Sequence, residues 1–397
     1  MKYEVVAVGA GPAGSTAAKF LAENGIKVLL VDKSKFPRDK ACGGGLTPRV
    51  LDRFRYVKDK NLIESYSFGG IAHSPSLKYE SKFERPESSG STVLRKKFDF
   101  GLLNLAIDAG CNFIDENPVK DLKISKNKVE IDLKSGDTIK SQIVIGADGT
   151  WSKIGRSIRL NRRPDQILTC IVQEFKIGEE IINEFFTEKK FSHIYFGRGG
   201  LSGYGWIFPK REHLNIGLGG EIFRDNLKLR DLADIFKQYI KLLKDDKKIP
   251  SNLKIEKCKA SFLPTSPLKK TYDNRVILCG DAGGFVNPFT GEGIYFAMSS
   301  GQIAARVITE ALDVGDTSEA FLSEYQSEWE KDFGMDIKVN FFLKYFWRKK
   351  FEKFIRISSK DEKFTEMLMG TILGWLDSRE YKWRIIRRYL WDNLRLL

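Results

Sequence analysis

The sequence predicts an α/β protein with a second, α+β domain and a helical C-terminal segment. Three observations carry that expectation. Apolar runs ending in glycine-rich turns recur at three separated places, each followed by a helical pattern. Alternating apolar segments, "SHIYFGRGGLSGYGWIFP" and "LNIGLGG", lie between the second and third of these and read as an antiparallel sheet. The last 60 or so residues mix aromatics and charge and read as helices.

At 397 residues and 45.3 kDa the chain exceeds the usual limit of one hydrophobic core, so two or three domains, interleaved in sequence, are expected. A hydrophobic fraction of 42% with 30% charged residues is that of a globular protein. No stretch approaches the ~18 apolar residues a membrane span needs, and "MLMGTILGWL" (Met367–Leu376) is too short. Met1 to Gly14 is apolar, but Glu4 and the Gly/Pro continuation fit a first strand and turn better than a signal peptide, which places the protein in the cytoplasm. Cys42, Cys111, Cys170, Cys258 and Cys279 form no CxxC pair, and His73, His193 and His213 are dispersed, so no metal site or disulfide framework is expected.

The first glycine turn carries the clearest chemistry. An apolar run from Tyr3 to Val8 leads into "GAGPAG", an Ala-rich helix ending near Gly25, and a second apolar run, "KVLLVDK", closing on Asp32. This is the order of a Rossmann-type dinucleotide-binding unit. Gly9 permits the tight turn, Gly11 lets backbone approach a pyrophosphate, and Gly14 lets helix and strand pack closely. The helix N-terminus offers unpaired N–H groups to phosphate, and Asp32, 18 positions after Gly14, suits a ribose hydroxyl.

The second turn, "IVIGADGTWSKIGR", ends a strand at Gly146-Ala147-Asp148-Gly149 and starts a helix near Ser152; alone it reads equally as an Asp-Gly turn. The third, "RVILCGDAGGFVNPFTGEGIYFAMSSGQIAARVI", delivers Gly280-Asp281 from a strand and opens a long helix at Gly293 and Ile294. Together the three resemble the glutathione-reductase-like FAD proteins of the p-hydroxybenzoate hydroxylase class. The resemblance implies FAD as cofactor. It assigns Asp281 to the ribityl chain, and the N–H groups of Gly293 and Ile294 to the flavin pyrimidine edge. It places Arg95, just ahead of a helix entered near Asp99, at the ribityl-phosphate region and Val119 against the adenine. The implied cofactor set also takes in Ala13, Lys33, Ala41, Cys42, Gly43, Asp148 and Gly149.

Two segments bear on the reaction. "PRDKACGGGL" places Cys42 before three glycines, a loop with backbone freedom and little bulk, as expected where the chain passes close to a flat ring. In "GYGWIFPKREHLNIGLGG" period-2 alternation puts Tyr204, Trp206 and Phe208 on one strand face, either as wall of a pocket or as core under a helix. Tyr204-x-Trp206-x-Phe208-Pro209, seven residues, then Gly217-x-Gly219 resembles the signature of the geranylgeranyl reductase family, and with the Cys-Gly-Gly loop the likeness runs from Lys2 to Val307. It implies an FAD-dependent reductase that saturates double bonds of geranylgeranyl chains on membrane-lipid precursors, as in archaeal lipids. Cys42 and Tyr204 are then the candidate catalytic groups, and Tyr204, Trp206 and Phe208 the candidate substrate contacts. The implied partners are an isoprenoid lipid and an electron donor, which is NAD(P)H, ferredoxin, reduced deazaflavin or quinol. A hydroxylase of an aromatic or lipid substrate and an electron-transfer dehydrogenase use the same fold, although the spacing of cysteines offers no iron–sulfur ligand set.

The expected division assigns 1–65, 95–160 and 270–330 to the FAD-binding domain. Residues 66–94 and 161–269 form the substrate domain, and 331–397 a helical region over the substrate tunnel or its mouth. The net charge is +14, and from residue 338 onward 15 Lys and Arg face seven Asp and Glu, interleaved with aromatics. Two readings stand: a tail that packs its rings and solvates its charges, or a face drawn to an anionic membrane. Nucleic acid is not an expected partner, since no nucleic-acid-binding signature accompanies the charge.

Overall fold

The computed structural model describes residues 1–222, 225–256, 258–347, 350–376 and 378–395. Arg348, Lys349, Asp377, Leu396 and Leu397 of the basic aromatic segment lie outside the described residues. The chain forms two units, 1–40 with 95–166 and 263–338, and 41–94 with 167–262 and 339–397. Relative to the division drawn from sequence, residues 41–65 fall in the second unit and so does the C-terminal segment from Val339.

The first unit is built on a six-stranded sheet in the order Tyr272–Asp273, Val276–Leu278, Ile143–Gly146, Val5–Val8, Val28–Val31, Asn112–Ile114. All neighbours are parallel except the first pair. Its central strands are apolar at every position because both faces are covered. Val5 and Ala7 face a core shared with the helices Pro12–Glu23 and Ile294–Val314, while Val6 and Val8 face the meander Val119–Ile124, Val129–Leu133, Thr138–Ser141. Gly301 lets the two helices close on one another, since a Cβ there would stand 2.4 Å from the Ala13 carbonyl oxygen. The helix expected to enter near Asp99 begins four residues earlier, at Arg95, and runs to Asp108.

The second unit holds a seven-stranded sheet in the order Lys259–Pro264, Ile167–Lys176, His213–Gly220, Gly203–Pro209, Ser192–Phe196, Gly69–His73, Glu80–Glu84. The sheet is not purely antiparallel, for Ser192–Phe196 and Gly69–His73 run parallel. One face packs under the helices Glu179–Phe186 and Leu229–Asp245, with Ile207, Ile216, Leu218 and Phe236 fully buried between them. Truncating Ile207 to alanine in such a setting costs about 2–5 kcal/mol. Against the edge strand Glu80–Glu84 lie the C-terminal helices Phe351–Ser358 and Glu362–Leu373, joined to it by a buried ladder in which the Ser81, Ser358 and Thr365 hydroxyls meet at 2.6 and 2.6 Å. A small sheet, Gly45–Leu46, Gly90–Thr92, Ser65–Ser67, completes the unit. Among the described residues, no helix is long and apolar enough to cross a membrane.

Candidate active site

In the first unit the glycine turn is held by close backbone packing. Gly9 has φ +104, and a Cβ on it would stand 2.3 Å from the Ala147 carbonyl oxygen; a Cβ on Gly14 would stand 1.9 Å from the Gly9 carbonyl oxygen. Neither position accepts a side chain. Gly11 caps the helix Pro12–Glu23 with no side-chain bond to its first turn, and a Cβ there would meet only the Arg38 guanidinium at 3.5 Å. The open N–H groups and the positive helix end form a seat for phosphate. Asp32 is buried, with Oδ2 accepting from Ala10 N at 2.8 Å and Oδ1 from Ser34 N at 2.8 Å. The carboxylate therefore braces the turn, and its remaining lone pairs could accept from a hydroxyl. Ala13 is buried at the same turn, and Lys33 is exposed after the strand.

Asp281 sits in a tight turn after Gly280, whose φ of +58 needs glycine, and pairs with Lys40 at 3.6 Å. Gly293 caps the helix Ile294–Val314 without a side-chain cap, and Ile294, its first residue, is buried. Asp148 is occupied structurally: it accepts from Ser152 Oγ at 2.5 Å and from the backbone of Lys153 and Ile154 at 2.6 and 3.1 Å, fixing the start of the helix Lys153–Ser157. Burial pushes its carboxyl up, and these hydrogen bonds hold it down. Gly149, at φ +86, borders open space. Val119 lies in the meander core.

Arg95 is neither ahead of its helix nor solvated. It is buried at the first helical position and grips Asp99 through Nε at 2.7 Å and Nη2 at 2.8 Å, while Arg38 reaches the same carboxylate at 3.1 Å. Two cations thus share one fully buried carboxylate, and Arg38 also approaches Gly11 of the glycine turn. Arg38, Asp99 and Arg162 are additions to the residues expected from sequence. Arg162 donates Nη1 to the Ser266 carbonyl at 2.7 Å, and its Nε and Nη2, like Asn287 Nδ2, are buried with no hydrogen-bond partner among the described residues. Burial lowers the Arg162 pKa to about 10, with Asp281 acting against the shift. Buried donors of this kind are those a polar ligand satisfies. A glycine cradle shaped for close approach, a helix start without a cap and orphaned donors beside Asp281 fit a dinucleotide cofactor.

In the second unit, Tyr204, Trp206 and Phe208 lie on the sheet face away from the helices Glu179–Phe186 and Leu229–Asp245. Gly205 and Ile207 take the helix-covered face, with Gly205 so close to Tyr239 that a Cβ would stand 2.8 Å from its ring. The three aromatics line the opposite face, with ring centroids 5.9 and 6.1 Å apart in sequence order. The register explains the signature: Tyr204 pairs with Gly219, Trp206 with Gly217 and Phe208 with Asn215. A Cβ on Gly217 would stand 2.3 Å from the Trp206 ring, so this glycine supplies the floor on which the indole lies, while a Cβ on Gly219 would stand 2.7 Å from Cys170 Cβ.

The Cys42 loop lies on this wall. A Cβ on Gly43 would be 2.8 Å from the Phe208 ring and 3.2 Å from Trp206 Nε1; Gly44, at φ +73, passes so near Val93 that a Cβ would stand 2.2 Å from its carbonyl oxygen. The loop's glycines thus pass close to the Phe208 and Trp206 rings. Cys42 is half-buried, after Ala41, and its Sγ accepts from Gly44 N at 3.3 Å. Tyr204 is half-buried, and burial pushes its phenol well above the usual tyrosine range, with Cys170 and Cys42 adding to the effect. Beyond Tyr204 the same face continues to Phe196, which stacks on Phe351 of a C-terminal helix at 4.3 Å. The wall is therefore bounded by the Cys42 loop at one end and a C-terminal helix at the other.

The opposite face brings together two histidines dispersed in sequence. His73 Nε2 and His193 Nδ1 are 3.2 Å apart, and His73 Nδ1 lies 3.0 Å from Glu80. Burial lowers His73 to about 4 and His193 to about 3.

These features define a flavoprotein, and the comparisons agree: the FAD binding domain family matches residues 2–332, and the chain belongs to that family. It is 32% identical over 344 residues to digeranylgeranylglycerophospholipid reductase 1 of Methanopyrus kandleri, covering 84% of this chain and 87% of the relative. It is 33% identical over 336 residues to digeranylgeranylglycerophospholipid reductase of Methanocaldococcus jannaschii, covering 83% of this chain and 82% of the relative. A crystal structure of a geranylgeranyl bacteriochlorophyll reductase-like protein from Thermoplasma acidophilum shares the fold, with a TM-score of 0.81 at 24% identity over 91% of this chain and 92% of that one. The cofactor is FAD, and the protein is an FAD-dependent oxidoreductase.

Proposed function

We propose that this protein saturates carbon–carbon double bonds in geranylgeranyl chains of a glycerophospholipid, the activity named for its relatives. One observation carries the reading: a wall of three neighbouring aromatic rings, with Gly217 under the indole and the half-buried Cys42 at its edge. A polyprenyl chain has no hydrogen-bonding groups, so only apolar area and shape hold it, at roughly 25 cal/mol per Å² buried.

Gly9, Gly11 and Gly14 would hold the pyrophosphate, Asp32 the ribose, and Asp281 with Lys40 the ribityl chain. The uncapped N–H groups at the start of the helix Ile294–Val314 would serve the pyrimidine edge, where the positive helix end would stabilise negative charge. When bound and reduced, FAD would supply hydride chemistry for one alkene carbon. The Cys42 thiol gives its proton to the other carbon, and the thiolate left behind keeps the Gly44 N–H as a hydrogen-bond donor before solvent reprotonates it. Tyr204 is the weaker acid of the two because its phenol is held far above the usual range, and its task is to shape the wall and exclude water.

The electron donor is a separate reductant, and the protein is cytoplasmic, working at a membrane face. That face is the pair of helices Met335–Trp347 and Ser378–Arg395, where Phe341, Phe342 and Tyr345 on one and Trp383, Leu390 and Trp391 on the other are exposed among Arg384 and Arg387. Exposed rings beside basic groups suit the headgroup region of an anionic bilayer.

The test is anaerobic. Enzyme reduced with dithionite is mixed with a geranylgeranyl-bearing glycerophospholipid, and flavin reoxidation is followed by absorbance. Reoxidation that requires the unsaturated lipid supports the reading; indifference to lipid, with oxidation only on admitting oxygen and an aromatic compound, replaces it with hydroxylation.

A further inference from the structure

Beneath the Cys42 loop lies a polar chain in an otherwise apolar interior. Asn215 and Lys210 are each 1% exposed. Trp206 Nε1 donates to Asn215 Oδ1 at 2.8 Å, and Asn215 Nδ2 donates both its protons, one to the Cys42 carbonyl at 3.1 Å and one to Glu174 Oε2 at 2.9 Å. Lys210 Nζ donates to the same Glu174 oxygen at 2.7 Å and to the Val93 carbonyl at 2.9 Å. Val93 N in turn donates to the Gly44 carbonyl at 2.8 Å. The loop is thus tied at both of its inner carbonyls, Cys42 by Asn215 and Gly44 by Val93.

The amide of Asn215 is fully used, one acceptor and two donors, and its orientation is fixed because only oxygen accepts from an indole N–H. Asn215 pairs with Phe208 on one side and Glu174 on the other, on the same sheet face as the aromatic rings. A buried lysine and amide cost free energy unless every partner is in place, so their presence under this loop calls for a task. We infer that Asn215 is a positioning residue for the reaction: it clasps the Cys42 loop to Trp206, with the Lys210–Glu174 pair as its anchor, so that thiol and aromatic wall keep one mutual geometry. The clasp rests on the proposed roles of Cys42 and Trp206; its existence as a loop tether does not.

The experiment uses full-length, FAD-loaded protein in a Cys258→Ser background, because Cys258 is the other half-buried thiol. The rate of Cys42 alkylation by iodoacetamide is read by peptide mass spectrometry, and steady-state turnover is measured beside it. Asn215→Leu removes all three bonds, of which the one to the Cys42 carbonyl holds the loop, and should accelerate alkylation roughly tenfold, the effect of losing that bond, while lowering kcat more than it raises KM. Asn215→Asp makes a sharper test. Ionised, it presents oxygens to the Cys42 carbonyl and to Glu174 and repels both. Protonated, it accepts from Trp206 and donates to one of them. Burial and the Glu174 charge raise the new carboxyl's pKa, while Lys210 opposes that rise; Cys42 and, beyond Glu174, His213 are the other titrating neighbours. The Asn215→Asp protein should therefore match Asn215→Leu at pH 8 and return toward the parent's alkylation rate, compared at equal pH, as pH falls to about 5.5.

An asparagine that braces the sheet without holding the loop would give neither acceleration nor pH-dependent recovery, and that result overturns the clasp; faster alkylation with kcat and KM unchanged would overturn the positioning role. Should Asn215→Leu fail to fold, the pH series on Asn215→Asp decides alone. If the parent enzyme leaves prenyl lipid unchanged, the proposed reaction fails while the alkylation arm still decides whether the loop is tethered.

Discussion

The indole of Trp206 lies across Gly217, in the space where a Cβ on Gly217 would stand 2.3 Å from the ring. Gly217 is paired with Trp206 on one side and Val172 on the other, so the ring has no room to move along the sheet. Gly217→Ala should therefore displace the indole, destabilise the second unit by about 1–3 kcal/mol and raise KM for a prenyl lipid, with FAD content unchanged. Trp206→Ala should give the same separation without the overpacking, because it removes apolar wall instead. Flavin absorbance per protein, thermal midpoint and lipid turnover measured together check both; loss of FAD in step with loss of turnover would contradict the assignment.

Gly14 tests the other unit. A Cβ there would stand 1.9 Å from the Gly9 carbonyl oxygen, a backbone atom that cannot turn aside. Gly14→Ala should yield protein lacking FAD, whereas Gly11→Ala, which meets only the movable Arg38 guanidinium at 3.5 Å, should keep at least part of it. Flavin content after gel filtration is the measurement.

The His73–His193 pair predicts acid sensitivity. Both histidines titrate in the folded protein below their ordinary value of 6.5, at about 4 and about 3. Between those values and 6.5 the unfolded chain binds more protons, so stability is complete above pH 6.5 and declines as pH falls. The slope approaches about 1.4 kcal/mol per pH unit for each histidine. Thermal midpoints from pH 7 to 4 should fall, and replacing both residues with asparagine should flatten the curve.

The exposed rings of the C-terminal helices predict membrane attachment. Tyr345 is 76% exposed and Trp383 64%, while Phe346 and Tyr389 hold the two helices together with ring centroids 5.9 Å apart. Phe342→Ser with Trp383→Ser should reduce co-sedimentation with phosphatidylglycerol vesicles by roughly tenfold and leave the thermal midpoint unchanged. Binding that ignores both the substitutions and the lipid charge would refute this surface.

Local chemistry explains what could be read from sequence. Glycines at 9, 14 and 217 stand where neighbouring backbone or a ring fills the Cβ position, and such demands leave a mark in one short stretch of chain. Lys210 and Asn215 lie inside the same stretch as Trp206, and alternation already puts Asn215 on the aromatic face. Their partner Glu174, however, is 36 and 41 residues away, and only sheet register brings it there. The parallel pairing of Ser192–Phe196 with Gly69–His73 and the meeting of His73 with His193, 120 residues apart, are non-local in the same way. Arg95 was misplaced because its partner is four residues on: the Arg95–Asp99 pair belongs inside the first helical turns, not before them.

The central claim concerns the lipid product. Enzyme reduced anaerobically should be incubated with a glycerophospholipid bearing geranylgeranyl chains and the lipid analysed by mass spectrometry. The account predicts a gain of two hydrogens for each double bond consumed, depending on FAD and suppressed in Trp206→Ala. A lipid recovered at its starting mass, from enzyme whose flavin is shown to be bound and reduced, would contradict it.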